Sequence, residues 1–175
     1  MKKLLIASLC AASFALVACD KKPADANAPA TKTETKAAAL STNNVEDIKN
    51  DYNQLQTLTT AKAQDGVKFQ EEVITASQSN DKAALKGISE KLKAYVDNFN
   101  KELDSLPIKS SEVNSLREKM KEANTLGIEL SQISTETAPD TNKITELTKR
   151  ATDLQQETLT QMQDIQAKIN TAAAK

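Results

Sequence analysis

The chain has 175 residues, with 23 basic against 24 acidic side chains and a formal net charge of −1. It contains no histidine, no tryptophan, three glycines and two cysteines. These numbers exclude histidine-based acid–base catalysis, His-containing zinc sites and a Gly-rich phosphate loop. The balanced, interspersed charge also offers nucleic acid no concentrated cationic face.

Lys2 and Lys3 open the chain, and residues 4–18 form an uncharged, mostly apolar run. A transmembrane helix needs about 20 such residues, so the run is short for a span. A basic start, a 7–15-residue apolar stretch and a small-residue exit describe a secretory signal peptide. The run ends in Leu16-Val17-Ala18-Cys19. This resembles the lipobox of bacterial lipoproteins, in which a branched apolar residue stands three before an obligatory Cys. The resemblance implies cleavage between Ala18 and Cys19, a diacylglycerol on the Cys19 thiol and an acyl group on its new amino end. Two or three acyl chains hold a protein firmly, whereas one does so only marginally. Cys10 leaves with the leader, so the mature chain has no thiol for a disulfide or a metal. Without Lys2 and Lys3, 21 basic residues face 24 acidic ones, a net charge of −3.

The expected organisation is a signal peptide over 1–18, a lipidated N-terminus with a flexible linker over 19–40, and a helical domain over 41–175. The linker carries Ala, Lys, Thr and two prolines, with no large apolar residue before Leu40. It cannot bury enough apolar surface to offset its ordering entropy. As a flexible chain its ends stand roughly 25 Å apart, and about 65 Å at full stretch. Residues 31–39 contain helix formers and no proline, so a helix continuous with the domain is the alternative there.

From Leu40 onward Leu, Ala, Gln, Glu and Lys dominate, proline occurs only at Pro107 and Pro139, and strand signals are missing. Apolar residues recur at three and four. The first seam is Val45, Ile48, Tyr52 and Leu55, resumed at Phe69, Val73 and Ala76. The second is Leu85, Ile88, Leu92, Tyr95, Phe99 and Leu103. The third is Val113, Leu116, Met120, Ala123, Leu130 and Ile133. The fourth runs from Ile144 and Leu147 through Ala151, Leu154, Met162 and Ile165 to Ile169.

Ser79-Asn80-Asp81, Leu106-Pro107-Ile108 and the stretch from Thr137 to Thr141 separate the seams. Ser110 or Ser111, and Asp140 or Thr141, are candidate N-caps. These signals predict an all-α, up-down antiparallel bundle of about four helices, near 43–79, 81–105, 111–136 and 141–171. The first seam weakens in the middle, where Thr59, Lys62 and Gly66 fall on core positions. One continuous helix with a weak middle is favoured over a break at Asp65-Gly66.

Chemistry is scarce. Carboxylates such as Glu71, Glu72, Glu129 and Glu136 lie among lysines on polar faces, as solvated surface does. Leu159-Thr160-Gln161-Met162-Gln163 fits the pattern Leu-Thr-x-x-Gln, which resembles the signature of Spy-type periplasmic chaperones. That family carries the pattern near helix starts and usually twice. Here it occurs once, deep in the fourth helix of an acidic domain. The chain ends in Lys175, and a terminal lysine is how the major murein lipoprotein is joined to the cell wall. That family ends in aromatic-Arg-Lys, which this chain lacks.

The expectation is therefore a non-catalytic, membrane-anchored envelope module. It has no cofactor, no metal, no small-molecule substrate and no nucleic-acid partner, and an envelope protein or the cell wall as its contact. The alternative is a Spy-like periplasmic chaperone or stress protein. The anchor is expected to face the periplasm. Asp20 after the lipidated Cys implies inner-membrane retention in enteric-type lipoproteins; Lys21 departs from the acidic or amide residue that best supports it. The inner membrane is favoured over the outer.

Overall fold

A computed structural model of the chain describes residues 39–79, 82–134, 136 and 138–173. The expected signal peptide, Cys19 and nearly all of the linker lie outside the described residues. Four helices follow one another: α1 (Val45–Ser79), α2 (Lys82–Ser105), α3 (Ser111–Ser134) and α4 (Thr141–Ala173). They form the expected all-α, up-down arrangement, and their limits differ from the expected ones by at most two residues. Among the described residues the β structure is one isolated parallel bridge between Ser41 and Ser110.

The helix ends have identifiable partners. Asn44 caps α1, its Oδ1 accepting from the N–H groups of Glu46 at 3.2 Å and Asp47 at 3.3 Å. Both acidic residues also sit favourably in the positive first turn. Asp140 caps α4 in the same way, through Asn142 and Lys143. Ser110 precedes α3, but its hydroxyl donates to Asp51 rather than capping. Arg117 Nη1 donates to the carbonyls of Leu103 and Leu106, both at 3.3 Å, satisfying acceptors at the C-terminal end of α2.

α1 runs unbroken for 35 residues, about 52 Å. Asp65-Gly66 is helical, so no turn forms there. The polar middle is satisfied instead of broken. Thr59 is buried and its hydroxyl donates to Gln56 O. Lys62 carries its ammonium out to Glu102 at 2.7 Å, while its carbonyl accepts from Tyr95 Oη at 2.9 Å. Tyr95 stacks between Phe69 and Phe99, at centroid distances of 5.2 and 6.4 Å. Burial, with the Asp65 and Glu102 charges adding to it, pushes the Tyr95 hydroxyl up to about 12. The phenol therefore stays a donor at any ordinary pH.

The core is concentrated at one end, here called the base. Ile48, Tyr52 and Leu55 of α1 meet Phe99 and Leu103 of α2, Val113 and Leu116 of α3, and Ile165 of α4. Ile48, Leu103 and Val113 are completely inaccessible. Towards the other end the packing thins. Leu92 is only partly buried, and Val67 and Ile74 of α1 are 55% and 40% exposed.

α3 departs from a one-stripe reading in this upper half. Leu126 and Ile128, both outside the expected seam, are buried along with Leu130 and Ile133. Two residues apart on a helix means nearly opposite faces, so α3 is covered on two sides. Lys121 and Asn124 reach α2 from one side, at Asp104 and Asn100. Lys119 and Glu122 reach α4 from the other, at Glu157 and Arg150. α3 thus stands between α2 and α4, whose backbones do not come close to each other among the described residues.

Candidate functional site

The anchor residues Ala18 and Cys19 lie outside the described residues, so the candidate site is the place where the chain coming from them joins the domain. Residues 41–44 run across the base and are bonded at every step. The Ser41 N–H donates to Lys109 O, and the Ser111 N–H donates to Ser41 O, both at 2.8 Å. The Ser41 hydroxyl donates to Asp47 Oδ2 at 2.8 Å. Thr42 Oγ1 lies 3.2 Å from Ser111 Oγ. Asn43 adopts φ 59°, the left-handed region that Asn tolerates better than most residues.

Two carboxylates organise this junction. Asp51, on the first helix and 1% exposed, accepts three hydrogen bonds on Oδ2. Its donors are the N–H of Lys109 at 2.8 Å, the N–H of Ser110 at 2.6 Å and the Ser110 hydroxyl at 2.7 Å. Glu112 accepts from the Asn43 N–H at 2.9 Å and from Lys168 Nζ at 2.8 Å. Lys168 also donates to Asn43 Oδ1 at 2.7 Å, so one ammonium ties the end of α4 to both. Burial pushes the Glu112 carboxyl up. Lys168, the N–H groups of Asn43 and Glu112, and the Ser111 hydroxyl outweigh it and hold the carboxyl at about 2.

The sign of the resulting pH dependence follows. A carboxyl held below its ordinary value of 4.5 stabilises the fold wherever it is ionised in both states, and that stability is lost as pH falls from about 5 towards 2. Partial solvent access trims the contribution to about 2 kcal/mol. Glu112→Gln is expected to melt lower than the parent at pH 7, with the difference shrinking by pH 3. Melting curves that differ equally at both values contradict this role for Glu112.

Two part-buried polar residues of α4, Gln161 of the Leu-Thr-x-x-Gln stretch and its neighbour Thr158, bond within the bundle. Gln161 Nε2 donates to Glu112 O at 2.9 Å, and the Thr158 hydroxyl donates to Leu154 O. The side chain of Gln161 therefore belongs to the α3–α4 contact, while Leu159 and Thr160 of the same motif are exposed. Glu72 pairs with Lys91 at 3.4 Å on the surface. Two shallow clefts open on the surface of the described helices. One, of about 710 Å³, lies between α1 and α2 and is lined by Ala76, Gly87 and Ile88 among charged rims. The other, of about 470 Å³, lies against α4 beside Lys119, Gln156 and Asp164. Among the described residues no three His, Cys, Asp or Glu side chains converge as metal ligands would. No described helix is long and apolar enough to cross a membrane.

Asp51, Ser41 and Lys168 were not singled out in the sequence. A lone Asp on a helix, a Ser just ahead of the first helix and a Lys late in the last helix carry no signal until the loop they hold is in place.

Comparison with known proteins adds one match. A family model described as uncharacterised lipoprotein PM1805 matches residues 49–170, which takes in parts of all four helices. No curated protein and no solved structure matches the chain. On the extent of the family match, the chain belongs to the bacterial lipoproteins described as uncharacterised lipoprotein PM1805.

Proposed function

We propose that this lipoprotein is held at the membrane by acyl chains on Cys19, facing the periplasm, and that its helical domain is a non-catalytic docking module for another envelope component. The observation that carries the reading is the division of labour along the bundle. At the base, residues 41–44 are bonded at every step to a close-packed core. In the upper half, apolar side chains of α1 remain exposed. A membrane-tethered module needs that combination: a firm attachment at one end and surface available at the other.

The chemistry of the chain supports the non-catalytic part. Without histidine or free thiol, catalysis would rest on carboxylates, lysines, tyrosines or hydroxyls converging in a cleft. The carboxylates with the closest partners serve the base or the helix surfaces. Asp20 supports retention in the inner membrane, and separation of the two membranes on a sucrose gradient tests that choice.

The anchor has its own test. Cys19→Ser is expected to abolish labelling by a radioactive or clickable fatty acid and to leave uncleaved precursor. A processed Cys19→Ser protein that still carries lipid contradicts the assignment.

The docking reading is tested by photo-crosslinking in cells. A crosslinking amino acid at Val67 or Ile74 is expected to capture one discrete envelope component, and the same group at Lys101 is not. A broad smear of clients from Val67 supports the chaperone alternative instead. No capture from either upper position above the Lys101 control removes the docking reading.

A further inference from the structure

The three helix–helix seams of the upper half differ in chemistry. Between α1 and α2 the seam is aromatic and apolar, with Phe69, Tyr95 and Phe99 in sequence along it. Between α3 and α4 the covered stripe on α3 is Leu126, Leu130 and Ile133, in register with Lys119 and Glu122, which pair with α4. Between α2 and α3 the seam carries hydrogen-bonded polar pairs: Asp104 with Lys121 near the base, then Asn100 with Asn124 at 2.8 Å, and Ser89 with Ser131 at 3.1 Å in the upper half. Ile128 is the buried apolar residue on that stripe of α3.

Such a difference decides where a bundle parts. Hydrogen bonds across a polar seam exchange for bonds to water with little net loss. Apolar surface does not exchange in this way, so separating α1 from α2 or α3 from α4 is far more costly. On the α1–α4 side, the residues that share a core cluster, Ile48 and Ile165, lie at the base. At the base the hairpins are held by that cluster and by the bonds that Asp51 of α1 accepts from the loop connecting α2 to α3.

We propose that the domain is a hinged pair of helical hairpins, α1–α2 and α3–α4, which part along the upper α2–α3 seam about the base. The opening turns a buried polar stripe with Ile128 at its centre into accessible surface at the end of the domain away from the tether. Each hairpin keeps its own apolar contacts throughout. The motion therefore switches surface on and off without unfolding any helix.

Ile128 and Leu130 make the hinge testable, because they share a helix and a degree of burial but face opposite neighbours. The experiment uses the mature-length chain, residues 19–175, with Cys19→Ser, so that one introduced thiol stands alone. Ile128→Cys, Leu130→Cys and Leu103→Cys are each reacted with a thiol reagent under native conditions. Hinge opening exposes the first position only. It is expected to react at least about tenfold faster than the other two, with a shallow dependence on urea, because little surface is uncovered. Local unfolding of α3 exposes positions 128 and 130 alike, so equal rates there overturn the proposal. If Leu130→Cys loosens the fold by circular dichroism, Leu126→Cys replaces it as the α4-facing position. Asn100→Leu with Asn124→Leu makes the seam apolar and is expected to slow Ile128→Cys at least about tenfold. An unchanged rate in that folded variant also overturns it. Should the leucine pair fail to fold, a steep urea dependence of Ile128→Cys, matching that of Leu103→Cys, serves as the contradicting result.

Discussion

Asp51→Ala is expected to destabilise the domain by about 3–5 kcal/mol, which lowers its melting temperature by roughly 10 °C or more. The magnitude follows from what the carboxylate leaves behind. Two backbone N–H groups and one hydroxyl converge on Oδ2, and the Ser110 pair is fully buried. Removing the acceptor strands the two Ser110 donors where water does not reach, at about 1–3 kcal/mol for each group that stays unsatisfied, and leaves the part-buried Lys109 N–H to find water. Relaxation of the loop recovers part of that sum. Asp51→Asn separates charge from connectivity. Its carbonyl oxygen can still accept both N–H bonds, so it is expected to cost about half as much. If Asp51→Ala melts within a degree or two of the parent, the loop between α2 and α3 is held by something other than Asp51.

The contrast between Asp51 and the helix seams shows what the sequence made legible. Period-three-and-four stripes identified Ile48, Tyr52, Leu55, Phe99, Leu103, Val113, Leu116 and Ile165, all of which enter the base cluster. A stripe is local information, since each helix must bury one face whatever its neighbours are. The cap at Asp140 was legible for the same reason. What escaped was pairwise and long-range. The bridge between Ser41 and Ser110 joins a serine without a sequence signal to one legible only as a candidate N-cap. Ile128 looked like a residue off the seam because the seam assumes one buried face, and α3 in its upper half has two. Thr59 and Lys62 looked like weak packing because a stripe cannot show that Glu102 and Tyr95 stand opposite. The proposed lipidation at Cys19 is different in kind: the Leu16-Val17-Ala18-Cys19 pattern that suggests it is local and linear, so the fold neither adds to it nor subtracts from it.

Leu103→Asp and Leu92→Asp lie eleven positions apart on the same stripe of α2, and their expected effects differ sharply. Leu103 is completely inaccessible at the centre of the base cluster. An aspartate there loses the transfer energy of a buried leucine and places a carboxylate among Ile48, Val113 and Leu116, apolar neighbours that offer it no hydrogen bond. The expected cost exceeds about 5 kcal/mol, comparable to the whole stability of a domain this size, so the variant should be largely unfolded at 25 °C. Leu92 is only partly buried in the upper half. An aspartate there can turn towards water, and the expected cost is about 1–2 kcal/mol. Urea unfolding followed by circular dichroism measures both. The folding core is placed at the base on the strength of burial alone, so equal losses at the two positions would show a uniformly packed bundle. A small loss at Leu103 with a large one at Leu92 would move the core to the opposite end. The gradient expected here also assigns the mechanics: the end that receives the tether resists unfolding, and the end away from it can rearrange without putting the fold at risk.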